Sequence, residues 1–383
     1  MPQRHVLIAI NTSWNVVNFR AGLVRGLRQA GYRVSVAAPP DRFTPALEAL
    51  GCRFLPVELE GHGRSPAADL RYLSRMFALL RRERPDALLG FTVKPNVYGS
   101  LAAHALGIPV INNIAGLGVV FNERGATARI VNELYRLALR RSRRVFFQNG
   151  DDLELFVRGG LVSAGKTEQL PGSGVDLSRF EQQPPPPASP FTFLLVARLL
   201  KEKGLAELAE AADMLRARGA PARVRVLGPH DGANPASVPA ADLARWTAAG
   251  LIEHLGATDD VRPALAQAHC VVLPSYYREG TPRALLEALA TGRPVITTDM
   301  PGCRDVVDDG VNGFLVPPRD SAALGAAMAR VATVPPAVLE AMGRASRLKA
   351  EREFDEGLVI RAYLRALGAA GPIAPPGPPQ PSS

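Results

Sequence analysis

The sequence predicts an α/β protein with two doubly wound, Rossmann-like domains. A length of 383 residues is more than one compact domain usually holds. Short apolar runs alternate along the chain with segments of helical period, which is the pattern of βα units on a parallel sheet. A proline-rich stretch at residues 182–190 interrupts this alternation, which then restarts, so we expect a domain boundary there.

Five short apolar runs of the first half are predicted to be buried strands, at residues 5–10, 33–38, 87–91, 109–112 and 145–148. Four segments between them have the helical period, at residues 19–30, 69–84, 96–106 and 126–141. Gly31 and Gly107 fit as the residues that end two of these helices, and Pro85 stops a third. The first half therefore predicts one parallel sheet with helices between its strands.

The second half repeats the pattern, with strands predicted at residues 191–197, 223–228, 251–256, 270–274 and 294–298. Helices are predicted to begin near residues 204, 240 and 282. We expect a first domain at residues 1–178, a linker at 179–190 and a second domain at 191–367, whose last helix can return to the first. Residues 368–383 are rich in Pro and Gly and are predicted to form a disordered tail.

Two such domains joined by a linker are expected to face each other across a cleft. In open α/β sheets, ligands bind outside the carboxyl ends of the strands. We therefore expect the functional residues on loops that leave a strand and enter a helix.

Composition excludes several classes of protein. No run approaches the roughly 18 apolar residues of a membrane span. The amino-terminal apolar run breaks at Asn11 without a cleavage site, so we expect a cytoplasmic protein without a signal peptide, and the three cysteines are too scattered for a disulfide framework. Residues 1–180 carry 24 Lys and Arg against 14 Asp and Glu, whereas residues 181–383 carry 21 against 22. This asymmetry favours an anionic partner for the first domain.

The most informative segment follows the predicted strand CVVLP. It turns at Glu279, Gly280 and Thr281 and enters a helix at Pro282, a residue type favoured at the first helical position. The amides of a helix N-terminus suit a phosphate or a sugar hydroxyl lying over Gly280 and Thr281. Glu287 lies about 7.5 Å along the helix axis from Pro282, at 1.5 Å per residue. The carboxylates of Glu279 and Glu287 can therefore stand at the two ends of an extended polar ligand.

A second pair of candidates follows the predicted strand FTFLLVA. Arg198 and Lys203 lie on a strand-to-helix loop, where Arg as a planar fork and Lys as a point charge can pair a diphosphate. No Asp-x-Asp triplet occurs in the sequence, and the six histidines lack metal-binding spacing. We therefore expect no bound metal and no cofactor, and we assign the diphosphate charge to these cations and the helix N-terminus.

The two windows resemble family 4 glycosyltransferases, which have the GT-B fold of two facing Rossmann-like domains. The family signature of Glu, seven residues, Glu, then a small residue, Gly and Pro, is matched by Glu279, Glu287, Thr291, Gly292 and Pro294. Its pattern of Arg, four residues, Lys and Gly is matched by Arg198, Lys203 and Gly204. The resemblance implies that Glu279 contacts the donor sugar and that Glu287 binds the ribose hydroxyls. It also implies that Arg198 and Lys203 neutralise the leaving nucleoside diphosphate, so the expected catalytic residues are Glu279, Arg198 and Lys203.

The resemblance extends into the first half, where it implies residues on the acceptor side. These residues lie in segments that follow predicted strands and are Asn15, Asn18, Arg20, Lys94, Asn96, Gly116 and Gly118. The segments are similar to those of a narrower group that acts on bacterial surface-polysaccharide intermediates linked to diphosphoundecaprenol. N-acetylhexosaminyltransferases belong to that group, so the acceptor is expected to be lipid-linked or a saccharide.

The resemblance implies a retaining, metal-independent transferase with a nucleotide-sugar donor, which we expect to be UDP-linked. Many family members have a His on the loop that has the sequence NNIAGLG here, and this loop has none. In the mechanism favoured for the family, the leaving phosphate oxygen takes the acceptor proton, so a protein base is not required. His104 lies in a predicted helix, where a core or surface role is favoured.

Two other functions stay open on sequence alone. A UDP-sugar epimerase of the same fold would need acidic and His groups around the nucleotide that these motifs do not supply. A basic module without catalysis, with nucleic acid as its partner, would use the cluster of Arg136, Arg140, Arg141, Arg143 and Arg144. Aromatic residues make up only 6% and no stacking motif occurs, so nucleic acid is not an expected partner. We expect two basic predicted helices to bind the inner face of the cytoplasmic membrane peripherally. One contains Arg71, Arg75, Arg81, Arg82 and Arg84, and the other contains Arg129, Arg136, Arg140 and Arg141.

Overall fold

The computed structural model of the chain describes residues 3–59, 65–116, 126–187, 189–219 and 222–368. These residues divide into two compact units. Of the described residues, the first unit contains 3–115, 126–174 and 356–368, and the second contains residue 116 and those from 175 to 355. The division falls after Gly174 and again after Asp355, so the first unit is formed from both ends of the chain.

The first unit is organised around a parallel sheet of seven described strands. They are β1 (His5–Ala9), β2 (Arg33–Ala38), β3 (Arg53–Pro56), β4 (Ala87–Phe91), β5 (Val110–Ile114), β6 (Arg144–Phe147) and β7 (Thr167–Gln169). Their order across the sheet is β3-β2-β1-β4-β5-β6-β7. Val6 of β1 lies opposite Val34 on one side and Ala87 on the other. The central strands are continuous apolar runs because helices cover both faces of the sheet.

Helices of the first unit follow its strands. They are α1 (Ser13–Phe19), α2 (Ala21–Gln29), α3 (Thr44–Ala49), α4 (Pro66–Glu83), α5 (Ser100–Ala105), α6 (Ala126–Leu139) and α7 (Gly150–Arg158). Leu23 and Leu27 of α2 pack in the core on one face of the sheet. Tyr72 and Met76 of α4 pack in the core on the other face. The sheet is therefore enclosed between two apolar layers.

The second unit repeats this design with a six-stranded parallel sheet. Its described strands are β8 (Phe191–Val196), β9 (Ala222–Leu227), β10 (Glu253–His254), β11 (Cys270–Leu273), β12 (Val295–Thr298) and β13 (Gly313–Val316). Their order is β10-β9-β8-β11-β12-β13. The helices are α8 (Leu205–Ala217), α9 (Ala240–Ala248), α10 (Arg262–Ala266), α11 (Arg283–Ala290), α12 (Ser321–Ala332) and α13 (Pro336–Glu353).

The last described helix, α14 (Glu356–Leu367), belongs to the first unit. Its Tyr363 ring packs 4.8 Å from the ring of Phe146 and 6.0 Å from that of Phe91, between centroids. The Tyr363 hydroxyl accepts a hydrogen bond from Asn113 Nδ2 at 3.1 Å. Both ends of the chain therefore contribute to one core.

Among the described helices, none is by itself both long enough and apolar enough to span a membrane. The helices α12 and α13 pass together, but a bend of 112° separates them.

The predicted α/β fold with two parallel sheets is confirmed, with differences in individual elements. Three strands, β3, β7 and β13, lie outside the predicted set, because each has only three or four residues and gives no periodic signal. The strand predicted at residues 251–256 shortens to the two residues of β10. The predicted tail from residue 369 lies outside the described residues.

Two predicted helix starts also differ from the structure. Instead of one helix at 19–30, the chain forms α1 and α2, which meet at Arg20. That residue has φ −132° and ψ 5°, so it ends one helix and begins the next. Pro282 is the N-cap of α11, with ψ 119°, and helical geometry begins one residue later at Arg283.

The proline-rich segment is anchored to the second unit by buried polar contacts. The guanidinium of Arg293, only 1% exposed, donates to the carbonyl oxygens of Pro184 at 2.9 Å, Leu265 at 3.0 Å and Ala266 at 3.2 Å. Burial lowers the pKa of Arg293 to about 10. His269 Nε2 lies 2.9 Å from the carbonyl oxygen of Pro187. The segment is thus held at two points of its length.

We predict that Arg293→Met lowers the free energy of unfolding by about 1–3 kcal/mol, because it leaves buried carbonyl oxygens without donors. Urea denaturation would measure the change. The matched control is Arg218→Met, at an exposed arginine beyond α8, which should stay within about 0.5 kcal/mol of the wild type. Equal stability of Arg293→Met and the wild type would mean that the cost of burying the cation offsets its hydrogen bonds.

Candidate functional site

The candidate donor site of the second unit lies where its strand order reverses. The first strand, β8, pairs in parallel with β11, with Phe193 opposite Cys270 and Leu194 opposite Val271. Because the carboxyl ends of parallel strands lie at the same edge, the loops after β8 and β11 meet. These are the loops on which the sequence placed the donor-site residues.

The loop after β8 carries the two predicted cations. Arg198 is exposed, and Lys203 ends a single 3₁₀ turn before α8. Gly204 then has φ +78°, and a Cβ built there would lie 2.2 Å from the carbonyl oxygen of Pro274. Glycine is therefore required for this loop to pack directly against the loop after β11.

Glu279, on the loop after β11, is held by two donors, one from each loop. Lys203 Nζ forms an ion pair with Glu279 Oε1, and both side chains are mostly buried. Ser275 Oγ donates to the same carboxylate oxygen at 2.9 Å. The Thr298 hydroxyl in turn donates to the carbonyl oxygen of Ser275. Two predicted catalytic residues are thus in direct contact, and a serine that the prediction did not include orients one of them.

Backbone packs closely on both sides of the turn at Gly280. Gly302 has φ +77°, and a Cβ there would lie 1.6 Å from the carbonyl oxygen of Gly280. Gly116 has φ +86°, and a Cβ there would lie 2.5 Å from the amide nitrogen of Gly280. Gly116 was predicted on the acceptor side, and in the structure it is grouped with the second unit beside this turn.

The helix α11 carries the second predicted carboxylate. Glu287 is 9% exposed, which argues against a solvated surface residue. Arg283 Nε donates to Glu287 Oε1 at 2.9 Å, one helical turn away. Burial raises the pKa of the Glu287 carboxyl, and the charge of Arg283 opposes this rise. Thr281, 7% exposed, and Pro282 directly precede the helix.

The two cations flank one aromatic residue. Lys203 Nζ lies 5.6 Å from the centroid of the Tyr277 ring. Burial raises the pKa of the Tyr277 phenol, the carboxylates of Glu279 and Glu202 add to this rise, and the charge of Arg198 opposes it. The charge of Arg198 therefore acts on the same side chain that lies beside Lys203.

The acceptor candidates of the first unit divide between α1 and the residue that follows it. Asn15 is partly exposed near the start of α1, with its amide donating to Thr12 Oγ1 at 3.2 Å. Asn18 Nδ2 donates to the carbonyl oxygen of Trp14 at 3.0 Å. The Arg20 guanidinium is 6% exposed and stacks 4.2 Å from the centroid of the Phe91 ring.

Two further acceptor candidates follow β4. Lys94 Nζ forms an ion pair with Asp69 Oδ1 at 2.9 Å. Asn96 is 1% exposed; its Oδ1 accepts from Asn112 at 2.9 Å and its Nδ2 donates to the carbonyl oxygen of Asn113 at 2.8 Å. Asn96 therefore holds the helical turn Pro95–Gly99 in place against β5. Gly118, the remaining candidate, lies outside the described residues.

Two residues that hold the predicted carboxylates were not identified from the sequence: Ser275, which donates to Glu279, and Arg283, which donates to Glu287. Ser275 lies two residues after β11 and precedes Glu279 by four residues, in a loop where neither helical nor strand periodicity applies. Arg283 could have been found, since it precedes Glu287 by four residues on a predicted helix. In the part of the chain that the structure describes, no three His, Cys, Asp or Glu side chains are grouped as metal ligands are.

The fold and the family matches define the class of protein, a glycosyltransferase of the GT-B fold. Residues 16–172 match the family described as "Glycosyl transferase 4-like domain". Residues 190–333 match "Glycosyl transferases group 1". The chain belongs to this glycosyltransferase family, and the resemblance inferred from its motifs is confirmed.

Curated relatives and a solved structure agree with this assignment. The chain is 25% identical over 324 residues to the N,N'-diacetylbacillosaminyl-diphospho-undecaprenol alpha-1,3-N-acetylgalactosaminyltransferase of Campylobacter jejuni, covering 78% of this chain and 82% of that one. It is 26% identical over 275 residues to the UDP-Gal:alpha-D-GlcNAc-diphosphoundecaprenol alpha-1,3-galactosyltransferase of Escherichia coli, covering 69% and 70%. The structure of Anabaena HepE in complex with UDP superposes with a TM-score of 0.75 at 18% identity, covering 96% and 100%, and supports the fold.

Proposed function

We propose that the protein is a retaining, metal-independent glycosyltransferase. It moves a sugar from a UDP-linked donor on the second unit to a lipid-diphosphate-linked saccharide acceptor on the first, in bacterial surface-glycan synthesis of the O-antigen, capsule or exopolysaccharide type. The observation that carries this proposal is the contact of Lys203 with Glu279 directly before α11. It places a cation, a carboxylate and a helix N-terminus at one strand edge, which together match the leaving diphosphate and the sugar of such a donor.

Each donor-site residue has a proposed role. Glu279 accepts hydrogen bonds from sugar hydroxyls, and Glu287 accepts them from the ribose. Arg198 and Lys203 bind the diphosphate, and the amides after Pro282 add donors to it. Glu287 is buried, and a carboxylate in a poorly solvated site forms stronger hydrogen bonds. Its burial therefore suits the proposed binding of the two ribose hydroxyls.

The ion pair of Lys203 with Glu279 suggests how the site accepts its anion. Before the donor binds, each charge is compensated by the other, so neither is left buried and unpaired. A diphosphate offers Lys203 a more highly charged partner, and the carboxylate of Glu279 then becomes available to the sugar hydroxyls. Exchange of partners would couple phosphate binding to sugar binding.

Catalysis in this proposal rests on preorganised charge. Negative charge develops on the departing diphosphate, where Arg198, Lys203 and the N-terminus of α11 stabilise it. The departing phosphate oxygen takes the proton of the acceptor hydroxyl on the same face, which retains the configuration of the sugar. This route needs no protein base, in keeping with the lack of His in the loop NNIAGLG. Proton NMR of the new linkage reports its configuration.

The proposed acceptor rests on the relatives. The names of both curated relatives include a sugar linked to diphosphoundecaprenol. The first of the two chain halves, residues 1–180, has a surplus of ten positive charges, 24 against 14, which suits an acceptor at an anionic membrane surface. A diphosphate-linked saccharide on a membrane lipid satisfies both observations.

We predict that Glu279→Ala lowers kcat/KM for transfer by roughly 10- to 150-fold, the equivalent of about 1.5–3 kcal/mol for one charged hydrogen bond. Steady-state transfer from the UDP-sugar would measure the loss. The thermal midpoint should change little, because the side chain packs on polar neighbours in a loop. Turnover at the wild-type rate with saturating donor would remove Glu279 from the site.

We predict that Arg198→Ala and Lys203→Ala each weaken UDP binding by roughly 10- to 150-fold, since each removes one charge-assisted hydrogen bond to phosphate. Isothermal titration with UDP measures this directly. Lys201→Ala is the matched control, an exposed lysine on the same loop that bonds to the carbonyl oxygen of Pro235. EDTA should leave wild-type transfer unchanged; inactivation that Mg²⁺ or Mn²⁺ restores would overturn the metal-independent part of the proposal.

The membrane contact is proposed for the exposed surfaces of α4 and α6. Ile130 and Leu137 of α6 lie two turns apart and are 61% and 53% exposed. Arg140 and Arg141 are exposed just beyond the same helix, and Arg81 and Arg82 are exposed at the end of α4. Apolar residues beside cations are the composition of a surface that binds an anionic bilayer, at about 1 kcal/mol per cation.

We predict that charge reversal to Glu at Arg81, Arg82, Arg140 and Arg141 releases the protein from phosphatidylglycerol vesicles in flotation, because the lost cations supply most of the attraction. The matched control reverses four exposed arginines of the second unit, Arg218, Arg223, Arg245 and Arg344, and should still float. Flotation of both variants like the wild type would show that the basic first unit has another purpose.

A further inference from the structure

Trp14 is an exposed aromatic side chain at the start of α1, in the first unit. It is 40% exposed, although a tryptophan of a compact domain is normally well buried. Its ring lies edge-on against Phe19, with 4.8 Å between centroids and 81° between planes. The Asp41 carboxylate accepts from the backbone amides of Ser13 at 2.8 Å and Trp14 at 3.2 Å. The indole is therefore exposed and also held in a fixed orientation.

Three residues close to Trp14 in the sequence each have a buried side-chain oxygen atom without a hydrogen-bond partner. Among the described residues, Asn11 Oδ1, Ser13 Oγ and Asn15 Oδ1 are of this kind, and Ser13 is fully buried. A buried acceptor without a donor costs about 1–3 kcal/mol. Three within five consecutive residues indicate a place where a ligand supplies the missing partners.

The neighbouring loop at this sheet edge is strained. The strand order of the first unit reverses between β1 and β4, so the segment with Trp14 and the segment after Phe91 leave the same edge. Thr92, the first residue of the latter segment, has φ +64°, which is rare for a β-branched residue. Such strain is concentrated at ligand sites, because the surrounding structure must maintain it.

The chemistry of these groups selects the kind of ligand. Amide oxygens only accept hydrogen bonds, so they need a ligand with donors. An ionised phosphate and an acyl chain have no donors, whereas a sugar carries several hydroxyls and an apolar C–H face that can lie on an indole. We infer that Trp14, with Asn11 and Asn15, binds the acceptor's saccharide, a refinement that rests on the proposed function. Trp14 is then a specificity-determining residue for acceptors that carry a sugar on their diphosphate.

Fluorescence tests this inference without any measurement of activity. The chain has two tryptophans, and Trp246 is 9% exposed in α9, so Trp246→Phe leaves Trp14 as the only indole. The probes are farnesyl diphosphate carrying N-acetylglucosamine, farnesyl diphosphate without a sugar, and phosphatidylglycerol vesicles. We expect only the sugar-bearing probe to shift the emission to the blue and to protect it from iodide quenching. An unchanged emission with millimolar sugar-bearing probe, or an equal shift with either sugar-free probe, overturns the inference.

Kinetics with the sugar-bearing probe provides the second test. Trp14→Ala should raise the acceptor KM about tenfold with kcat within about twofold, and Trp14→Phe should recover most of the loss, since it keeps an aromatic face. Leu155→Ala, at an equally exposed side chain of α7, is the matched control and should match the wild type. UDP binding of Trp14→Ala should be unchanged. An unchanged KM in Trp14→Ala overturns the inference, whereas failure of the proposed function would appear separately, as no UDP binding and no transfer by the wild type.

Discussion

The parallel pairing of the first strand with the fourth is the constraint on which both units depend. β1 pairs with β4 and β8 with β11, and at each pair the order of strands reverses. Since parallel strands send their carboxyl ends to one edge, two loops distant in sequence must meet there. In the second unit these loops bring charged groups together. In the first unit the segments that leave this edge carry the exposed Trp14 after β1 and the strained Thr92 after β4.

The charges of the second unit are arranged in compensated pairs. Lys203 pairs with Glu279 and Arg283 with Glu287, so each of these two carboxylates is compensated by a neighbouring cation. The second half of the chain is also near neutral, with 21 cations against 22 anions. In the proposed function, a diphosphate would bind by replacing these carboxylates as the partner of the cations. A weakly charged ligand would not repay the free energy lost when an ion pair breaks, so the pairs would select against it.

The sequence was sufficient for the fold class and for placing Lys203 and Glu279 on two loops that meet, because strand periodicity and motif spacing are local signals. It was insufficient where an interaction depends on which loops meet. The contact of Ser275 with Glu279 depends on the path of the loop after β11. Asn96 lies in a segment predicted to be helical, and helical periodicity does not reveal that its side chain is buried against Asn112 and Asn113 of the neighbouring strand. The break of one predicted helix at Arg20 depends on a single backbone conformation, which side-chain periodicity does not encode.

The return of α14 to the first unit has a consequence for synthesis on the ribosome. Residues 175–355 form a unit of their own, so the second unit can complete its core while the chain is still being extended. The first unit, although its strands emerge earlier, lacks Tyr363 and the rest of α14 until the second unit has been synthesised. Its apolar surface around Phe91 and Phe146 is left without this cover during that interval, so the first unit can complete its core only after the whole second unit has been made.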